Sequence, residues 1–118
     1  HRKGATRSFP GQPVLVPGDM GTGSWLLEGM EGNRAFGSSC HGAGRLLSRS
    51  EAKSKINPEE LLTRLESEGI IVHANTPNIL SEEAPDAYKD VDKVIELTNN
   101  AGLAKPIARM KPLAVIKG

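Results

Sequence analysis

The 118-residue sequence is short of aromatic residues, of cysteine and of long apolar runs, and its charges nearly cancel. Only four aromatic side chains are present, so we expect a core built mainly of Leu, Ile, Val and Ala. The single cysteine, Cys40, excludes an internal disulfide and is compatible with a reducing, cytoplasmic compartment. No apolar run approaches the roughly 18 residues of a membrane span, and no signal peptide is visible. We therefore expect no membrane partner.

A net charge of +1 gives no global electrostatic argument for nucleic-acid binding, so any such site must be a local patch. The basic residues do cluster, at Arg2, Lys3 and Arg7 and again between residues 45 and 55. The length suits one domain, since domains commonly have about 100–200 residues. The chain opens within a basic motif and without a methionine, and we expect it to be a piece of a longer protein.

Periodicity and turn signals predict an α+β fold of short strands with about three helices. The predicted strands lie near residues 13–16, 24–27, 70–73 and 112–116, and the predicted helices near 45–55, 58–68 and 86–100. Asn57 as a cap, with Pro58 after it, is a clear helix start, and Gly69 suits the helix end. Pro77 is interpreted as part of a loop. As an excised piece, the chain would leave one face of its sheet uncovered.

The stretch FGSSCHGAGRLLSR, residues 36–49, carries the most chemistry. His41 is flanked by glycines that allow close approach of the backbone to a ligand. A helix beginning near Arg45 would point its free N–H groups back towards His41, an arrangement that attracts phosphate. Arg45 and Arg49 would share one face of that helix and add forked donors. This pattern favours phosphoryl or nucleotidyl chemistry, and the alternative is that His41 merely caps a helix.

Other single residues allow two interpretations each. The glycines between Gly18 and Gly44 suit either an anion-binding concavity or hairpin turns that need positive φ. Lys3 and Lys117 are, by default, solvated charges, and Tyr88 is by default an aromatic residue at the edge of the core. His73 has no acidic or sulfur neighbour at ligand spacing, so a structural or exposed histidine is the expectation.

Five motifs in fixed order give the sequence a family resemblance. They are HRKGATR, PVLVPGDMGTGSW, FGSSCHGAGR, EEAPDAYKDVD and PLAVIKG. In this order they resemble the C-terminal part of the RtcB family of RNA-splicing ligases, and the resemblance covers essentially the whole chain. It implies that residues 1–118 are the C-terminal part of a single RtcB-type catalytic domain whose N-terminal, metal-binding part is absent. An extra loop that many members carry between Pro10 and Gly11 is missing here.

The resemblance implies an activity. The family joins RNA 3′-phosphate or 2′,3′-cyclic phosphate ends to 5′-hydroxyl ends, as in tRNA splicing and RNA repair, using GTP and Mn²⁺. RNA and GTP are then the expected partners, with a possible accessory activator protein. His41 would be the nucleophile that becomes guanylylated. The metal ligands would lie in the absent part, because Cys40, His1 and His73 show no ligand-like spacing, so this chain alone is expected to be inactive.

The resemblance also implies binding residues. Those for GMP or GTP are Pro17, Gly18, Asp19, Met20, Ser24, His41, Gly42, Ala43, Gly44, Tyr88 and Lys117, and those for RNA or phosphate are Lys3, Arg45 and Arg49. The Tyr88 ring would pack on the guanine, and Lys117 would donate to it and favour GTP over ATP. Asp19 replaces a small hydroxyl residue common in the family. Since a carboxylate repels phosphate, we expect Asp19 to face the base or ribose.

Two other functions remain open from the sequence. One is a non-catalytic module that binds guanine nucleotide or phosphate and keeps the cradle without the chemistry. The other is a phosphohistidine carrier, for which the guanine-side residues would have no role. Intact His41, Tyr88 and Lys117 argue for the ligase.

Overall fold

The computed structural model describes residues 1–118 and confirms the α+β class. The strands are β1 (Ala5–Arg7), β2 (Pro13–Asp19), β3 (Gly23–Gly29), β4 (Ser38–Cys40), β5 (Ile71–Ala74), β6 (Ala104–Met110) and β7 (Ala114–Lys117). The helices are α1 (Arg49–Lys55), α2 (Pro58–Ser67), α3 (Pro77–Glu82) and α4 (Val91–Asn100), and a short 3₁₀ turn (Pro85–Ala87) precedes α4. No helix has both the length and the apolar character needed to cross a membrane.

The largest sheet is antiparallel, with strand order β2-β3-β6. Side chains alternate along β2, so that Val14 and Val16 are buried while Leu15 between them is 66% exposed. The buried side packs against α4 through Val91 and Ile95. The other side, where Leu15 lies, is open, as the sequence predicted.

A second apolar cluster lies between the helices. Leu61 and Leu65 of α2, Leu80 of α3, and Met20 and Ile70 belong to it, and Ala84 completes it. Beside this cluster β5 and β7 pair in parallel, with Ile71 opposite Ala114. The cluster therefore ties the turn after β2 to the chain that follows α3.

Two helix boundaries differ from the sequence prediction. The helix predicted from residue 45 begins at Arg49, because Ser48 forms a capping box with Glu51 in which each side chain accepts from the other's backbone N–H. The helix predicted over 86–100 begins at Val91, because the Asp90 carboxylate caps its first turn.

One predicted loop is a helix, and three strands were missed. Pro77 is the first residue of α3, a position where its missing N–H costs nothing. The missed strands β1, β4 and β6 are short or exposed along most of their length, so they lack the buried alternation that identifies a strand in sequence. The predicted helix near 58–68 and the four predicted strands are confirmed, with ends that differ by a few residues.

An ion pair fastens α4 to the large sheet and gives a stability prediction. The Asp92 carboxylate accepts from Arg109 Nε at 3.0 Å and from Trp25 Nε1 at 2.8 Å. These bonds, Arg109 foremost, lower the pKa of Asp92 below its usual value. A depressed folded-state pKa stabilises the protein above the unfolded-state pKa, and this stabilisation is lost as the pH falls through the folded-state pKa.

Asp92→Asn is therefore expected to lower the free energy of unfolding by about 1 kcal/mol at pH 7. The difference should shrink below about pH 4, where the carboxylate begins to protonate. Urea unfolding followed by the fluorescence of Trp25, the single tryptophan, measures it at both pH values. Glu96→Gln, at an exposed position of the same helix, is the control. An Asp92→Asn effect that is the same at pH 7 and pH 3 would contradict the argument.

Candidate functional site

His41 lies where the chain leaves β4, and it is exposed. The residues around it are held in place. Cys40 is half-buried against the core, with its Sγ 3.4 Å from Oγ1 of Thr98, and Ala43 is buried in the core cluster beneath the large sheet. His41 is thus an accessible imidazole on a segment anchored at both sides.

The segment after His41 runs beside the residues that follow the 3₁₀ turn. The N–H of Lys89 donates to the carbonyl of Gly44 at 2.9 Å, and the N–H of Leu46 donates to the carbonyl of Ala87 at 2.8 Å. Arg45 pairs with Tyr88 in an isolated antiparallel bridge between these two bonds. The backbone thereby brings two of the predicted site residues together across 43 positions of sequence.

Gly42 places this segment beside the C-terminal half of β2. A Cβ at Gly42 would lie 3.4 Å from the carbonyl oxygen of Pro17, so the two backbones are neighbours. Gly44 adopts a φ of +79°, a conformation that side-chain-bearing residues rarely adopt. The glycines of this motif therefore serve both a close approach and a turn.

The predicted helix N-terminus beside His41 is wrong. Since α1 begins only at Arg49, its free N–H groups are those next to Ser48, and the Ser48–Glu51 capping box occupies part of them. Arg45 lies outside the helix, so it shares no helical face with Arg49. Donors for an anion near His41 would have to come from side chains and from the glycine-rich backbone.

A pair of adjacent carboxylates, Glu82 and Glu83, gathers the cationic side chains instead. We call these two residues the carboxylate pair; they stand at the C-terminal end of α3. The contacts to Glu82 are Lys53 Nζ at 2.8 Å and Arg49 Nε at 3.7 Å, and those to Glu83 are Arg45 Nη1 at 3.4 Å, Lys117 Nζ at 3.7 Å and Arg49 Nε at 4.0 Å. The Lys53 contact lowers the pKa of Glu82 below its usual value.

Tyr88 is the polar centre of this arrangement rather than an aromatic at the core edge. Its hydroxyl donates to Oε2 of Glu83 at 2.6 Å and accepts from Nη1 of Arg45 at 2.9 Å. The Arg45 guanidinium also lies over the ring, 4.8 Å from its centroid. Burial, and then the hydrogen bond to the Glu83 carboxylate, raise the pKa of Tyr88 above its usual value.

The turn after β2 uses several predicted binding residues for its own folding. Oδ1 of Asp19 accepts from the N–H groups of Gly21 at 2.9 Å and Thr22 at 2.7 Å. The Met20 side chain is 3% exposed in the second apolar cluster. The Ser24 hydroxyl accepts from the N–H of Gly18 at 3.4 Å. At Met20, any contact with a ligand would therefore have to come from the backbone.

Asp19 and Tyr88 line one open cleft of about 570 Å³, whose wall also includes Leu46, Lys89 and three further aspartates. This volume falls in the range of small-molecule sites. Two residues from separate predicted motifs thus face the same space.

Lys3 lies two residues before β1, the strand that pairs with β4. Ala5 stands opposite Cys40 in an antiparallel register, so the chain before Ala5 runs past the end from which His41 emerges. Lys3 is exposed there. Its position near the segment of His41 follows from the register alone.

No metal centre is present among the residues of this chain. No three His, Cys, Asp or Glu side chains come together in a group that could hold an ion. His73 lies exposed on β5.

Glu83 is the residue beside Tyr88 that the sequence analysis does not identify. In the sequence it is visible only as one of two adjacent acidic residues at the start of the motif EEAPDAYKDVD.

An exposed histidine on a glycine-rich segment that runs into Arg45 is an arrangement that suits the binding of phosphate groups. The model of the family described as tRNA-splicing ligase RtcB matches residues 1–118, and the chain belongs to that family. It is 49% identical to the tRNA-splicing ligase RtcB of Thermococcus kodakarensis, over all of this chain and 28% of that protein.

Two further relatives show the same partial coverage. The RNA-splicing ligase RtcB of Mycobacterium tuberculosis is 48% identical, with 30% of its length covered. The tRNA-splicing ligase RtcB of Pyrococcus horikoshii is 47% identical, with 15% covered. In both comparisons the whole of this chain is aligned, so the chain spans a third or less of the curated relatives it matches.

Proposed function

We propose that this chain is the nucleophile-bearing portion of a GTP- and manganese-dependent RNA ligase, which joins 3′-phosphate or 2′,3′-cyclic phosphate ends to 5′-hydroxyl ends. Family membership over the whole chain supports the class of reaction. The observation that carries the assignment is His41, an exposed imidazole on a segment anchored by Ala43 and running directly into Arg45. The names of the relatives, tRNA-splicing and RNA-splicing ligases, support RNA as the substrate.

The chemistry proposed for His41 is nucleophilic substitution at phosphorus. An unprotonated ring nitrogen attacks the α-phosphorus of GTP, a P–N bond forms, and pyrophosphate leaves with the electron pair of the broken P–O bond. The activated GMP then passes to an RNA 3′-phosphate, which restores the free histidine. Attack by the 5′-hydroxyl forms the phosphodiester, releases GMP and gives up the hydroxyl proton.

The other side chains would position the reactants. Arg45 and Arg49 would stabilise charge on phosphate oxygens of the nucleotide or RNA, for which forked guanidinium donors are suited. Backbone N–H groups of residues 42–44 would face the nucleotide, with residues 17–20 and Ser24 along the pocket. Tyr88 and Lys117 would contact the guanine, and Lys3 would contact an RNA phosphate. The anchored backbone of this region supports such roles because positioning is the main catalytic device in phosphoryl transfer.

We infer the requirement for Mn²⁺ from family membership and not from the residues of this chain. Mn²⁺ favours oxygen and imidazole ligands, and this chain contains no cluster of three that could hold it. The ion would have to be ligated by residues outside this chain. We accordingly expect the 118-residue chain alone to bind Mn²⁺ weakly and to have no ligase activity.

Labelled GTP tests the proposal in the full-length gene product. Incubation with Mn²⁺ and GTP labelled at the α-phosphate is expected to label the protein through an acid-labile, base-stable bond, as a phosphoramidate requires. Label from the γ-phosphate instead would identify a phosphohistidine carrier. Binding of GTP without any covalent label would identify a non-catalytic guanine-nucleotide module, and either of these results would overturn the ligase assignment.

A further inference from the structure

We propose that Glu83 is a positioning residue for the nucleotide site, holding Tyr88, Arg45 and Lys117 in one arrangement that selects guanine. This inference rests on the proposed function and extends it to a residue outside the predicted binding set. Glu83 touches no reacting atom in this proposal. It acts through these three side chains, and Arg49 Nε, 4.0 Å from Oε1, is its fourth and most distant contact.

The first step of the argument is that Glu83 has contacts on both carboxylate oxygens. Oε2 accepts the Tyr88 hydroxyl at 2.6 Å and lies 3.7 Å from Lys117 Nζ. Oε1 lies 3.4 Å from Nη1 of Arg45. The three partners come from separate parts of the chain, namely the segment after β4, the approach to α4 and the end of β7. The backbone bridge already brings Arg45 and Tyr88 together, and the Glu83 carboxylate adds Lys117 to them.

The second step is that Glu83 is itself held firmly. It follows α3 directly, and its N–H donates to the carbonyl of Ile79 in the last turn. The next residue, Ala84, is fully buried in the second apolar cluster. The Glu83 side chain is only 21% exposed, so its contacts are less screened than those of a surface pair. A rigid support of this kind is what keeps a binding group in a productive geometry.

The third step is the chemistry of selection. Guanine presents a carbonyl acceptor where adenine presents an amino donor. A lysine ammonium can donate to that carbonyl and gives no attraction to an amino group. Lys117 can favour guanine only if its flexible stem is held in place, and Glu83 is its ion-pair partner in the structure. Tyr88, fixed by the same carboxylate, would keep its ring in one plane for stacking.

The neighbouring residue provides a matched control. Glu82 has the same side chain and a nearly identical exposure, 22% against 21%, but its carboxylate contacts Lys53 and Arg49 and not Tyr88 or Lys117. Glu82→Gln and Glu83→Gln therefore remove the same charge from adjacent positions. Only Glu83→Gln weakens the arrangement around Tyr88.

The contact itself is tested in the 118-residue chain, without nucleotide. Tyr88 is the single tyrosine, so its ionisation is read directly from absorbance near 295 nm. The charged groups that contact the phenol or its partner are Glu83, Arg45, Lys117 and, at 4.0 Å from Glu83, Arg49. Removing the negative charge at Glu83 makes the phenolate easier to form, so Glu83→Gln should lower the pKa of Tyr88 and Glu82→Gln should change it little.

The role is tested in the full-length gene product by the kinetics of α-labelling with GTP and with ATP. Glu83→Gln is expected to raise KM for GTP about tenfold and to lower the preference for GTP over ATP, with the rate at saturating GTP nearly unchanged. Glu82→Gln should keep both values close to those of the unchanged protein. A general loss of structure would lower labelling with both nucleotides and would not change the ratio between them.

The possible failures can be told apart. If the pKa of Tyr88 is the same in Glu83→Gln, the contact does not form in solution and the inference is wrong. If that pKa shifts while the preference for GTP stays unchanged, Glu83 is only structural, and the ligase proposal is unaffected. If the unchanged protein takes no α-label at all, the proposed function fails, and the specificity role of Glu83 fails with it.

Discussion

His41→Ala is expected to abolish the covalent GMP adduct in the full-length gene product, lowering the rate of α-labelling by about 1,000-fold or more. The physical reason is that alanine offers no lone pair to the α-phosphorus, whereas the bound nucleotide and its positioning groups remain. His41 is exposed, so its removal leaves no cavity in the core. The variant should therefore unfold at the same temperature as the unchanged protein.

His73→Ala is the matched control for this prediction. His73 is also an exposed histidine, but it lies on β5 and not on the glycine-rich segment. The His73→Ala variant should be labelled at the same rate as the unchanged protein. If the adduct forms in His41→Ala and is absent in His73→Ala, the nucleophile is His73 and our proposal for His41 is wrong. GTP binding measured in the same variants separates loss of chemistry from loss of affinity.

The sequence predicts those elements whose signals are local. Asn57 and Pro58 start α2 by a cap and a fixed φ, and Gly69, at a φ of +81°, follows its end. The alternation along β2 is likewise a local consequence of one face being buried. Such features depend on residues within one turn or one strand, so a sequence pattern is sufficient to find them.

The start of α1 was misplaced although its signal was present. Ser48 and Glu51 have the spacing of a capping box, but Leu46 and Leu47 before them extended the apolar pattern and favoured an earlier start. This four-residue difference in the helix start matters for function, because a helix beginning near Arg45 would place free N–H groups beside His41. In this chain α1 begins where the capping box places it and not where the apolar spacing would place it.

The arrangement around the carboxylate pair could not be predicted from spacing. The sequence and the resemblance indicate phosphate for Arg45, solvent or guanine for Lys117 and no particular partner for Lys53, because opposite charges far apart in sequence give no periodic signal. Lys53 on α1, Lys117 on β7 and Arg45 in the segment before α1 reach Glu82 and Glu83 only in the folded chain. Tyr88 was expected to offer a ring face alone, and the structure adds that its hydroxyl is bound at the same place.

Leu65→Ala is expected to be the most destabilising of the substitutions considered, lowering the free energy of unfolding by about 3 kcal/mol. Leu65 has 0% exposure and lies among Leu61, Leu80 and Ala84, so its truncation removes apolar contacts and leaves a cavity. For a domain of this size the melting temperature should fall by about 10 °C. Thermal unfolding followed by circular dichroism measures the change.

Leu97→Ala provides the comparison, because Leu97 is 68% exposed on α4 and its truncation should cost well under 1 kcal/mol. Equal effects of the two substitutions would contradict the location of the core. Ala84 belongs to the same cluster as Leu65 and follows Glu83 directly in the chain. Loosening that cluster should therefore also disturb the contacts of Glu83. Leu65→Ala should therefore move the pKa of Tyr88 back towards its usual value while the chain is still folded, and Leu97→Ala should not.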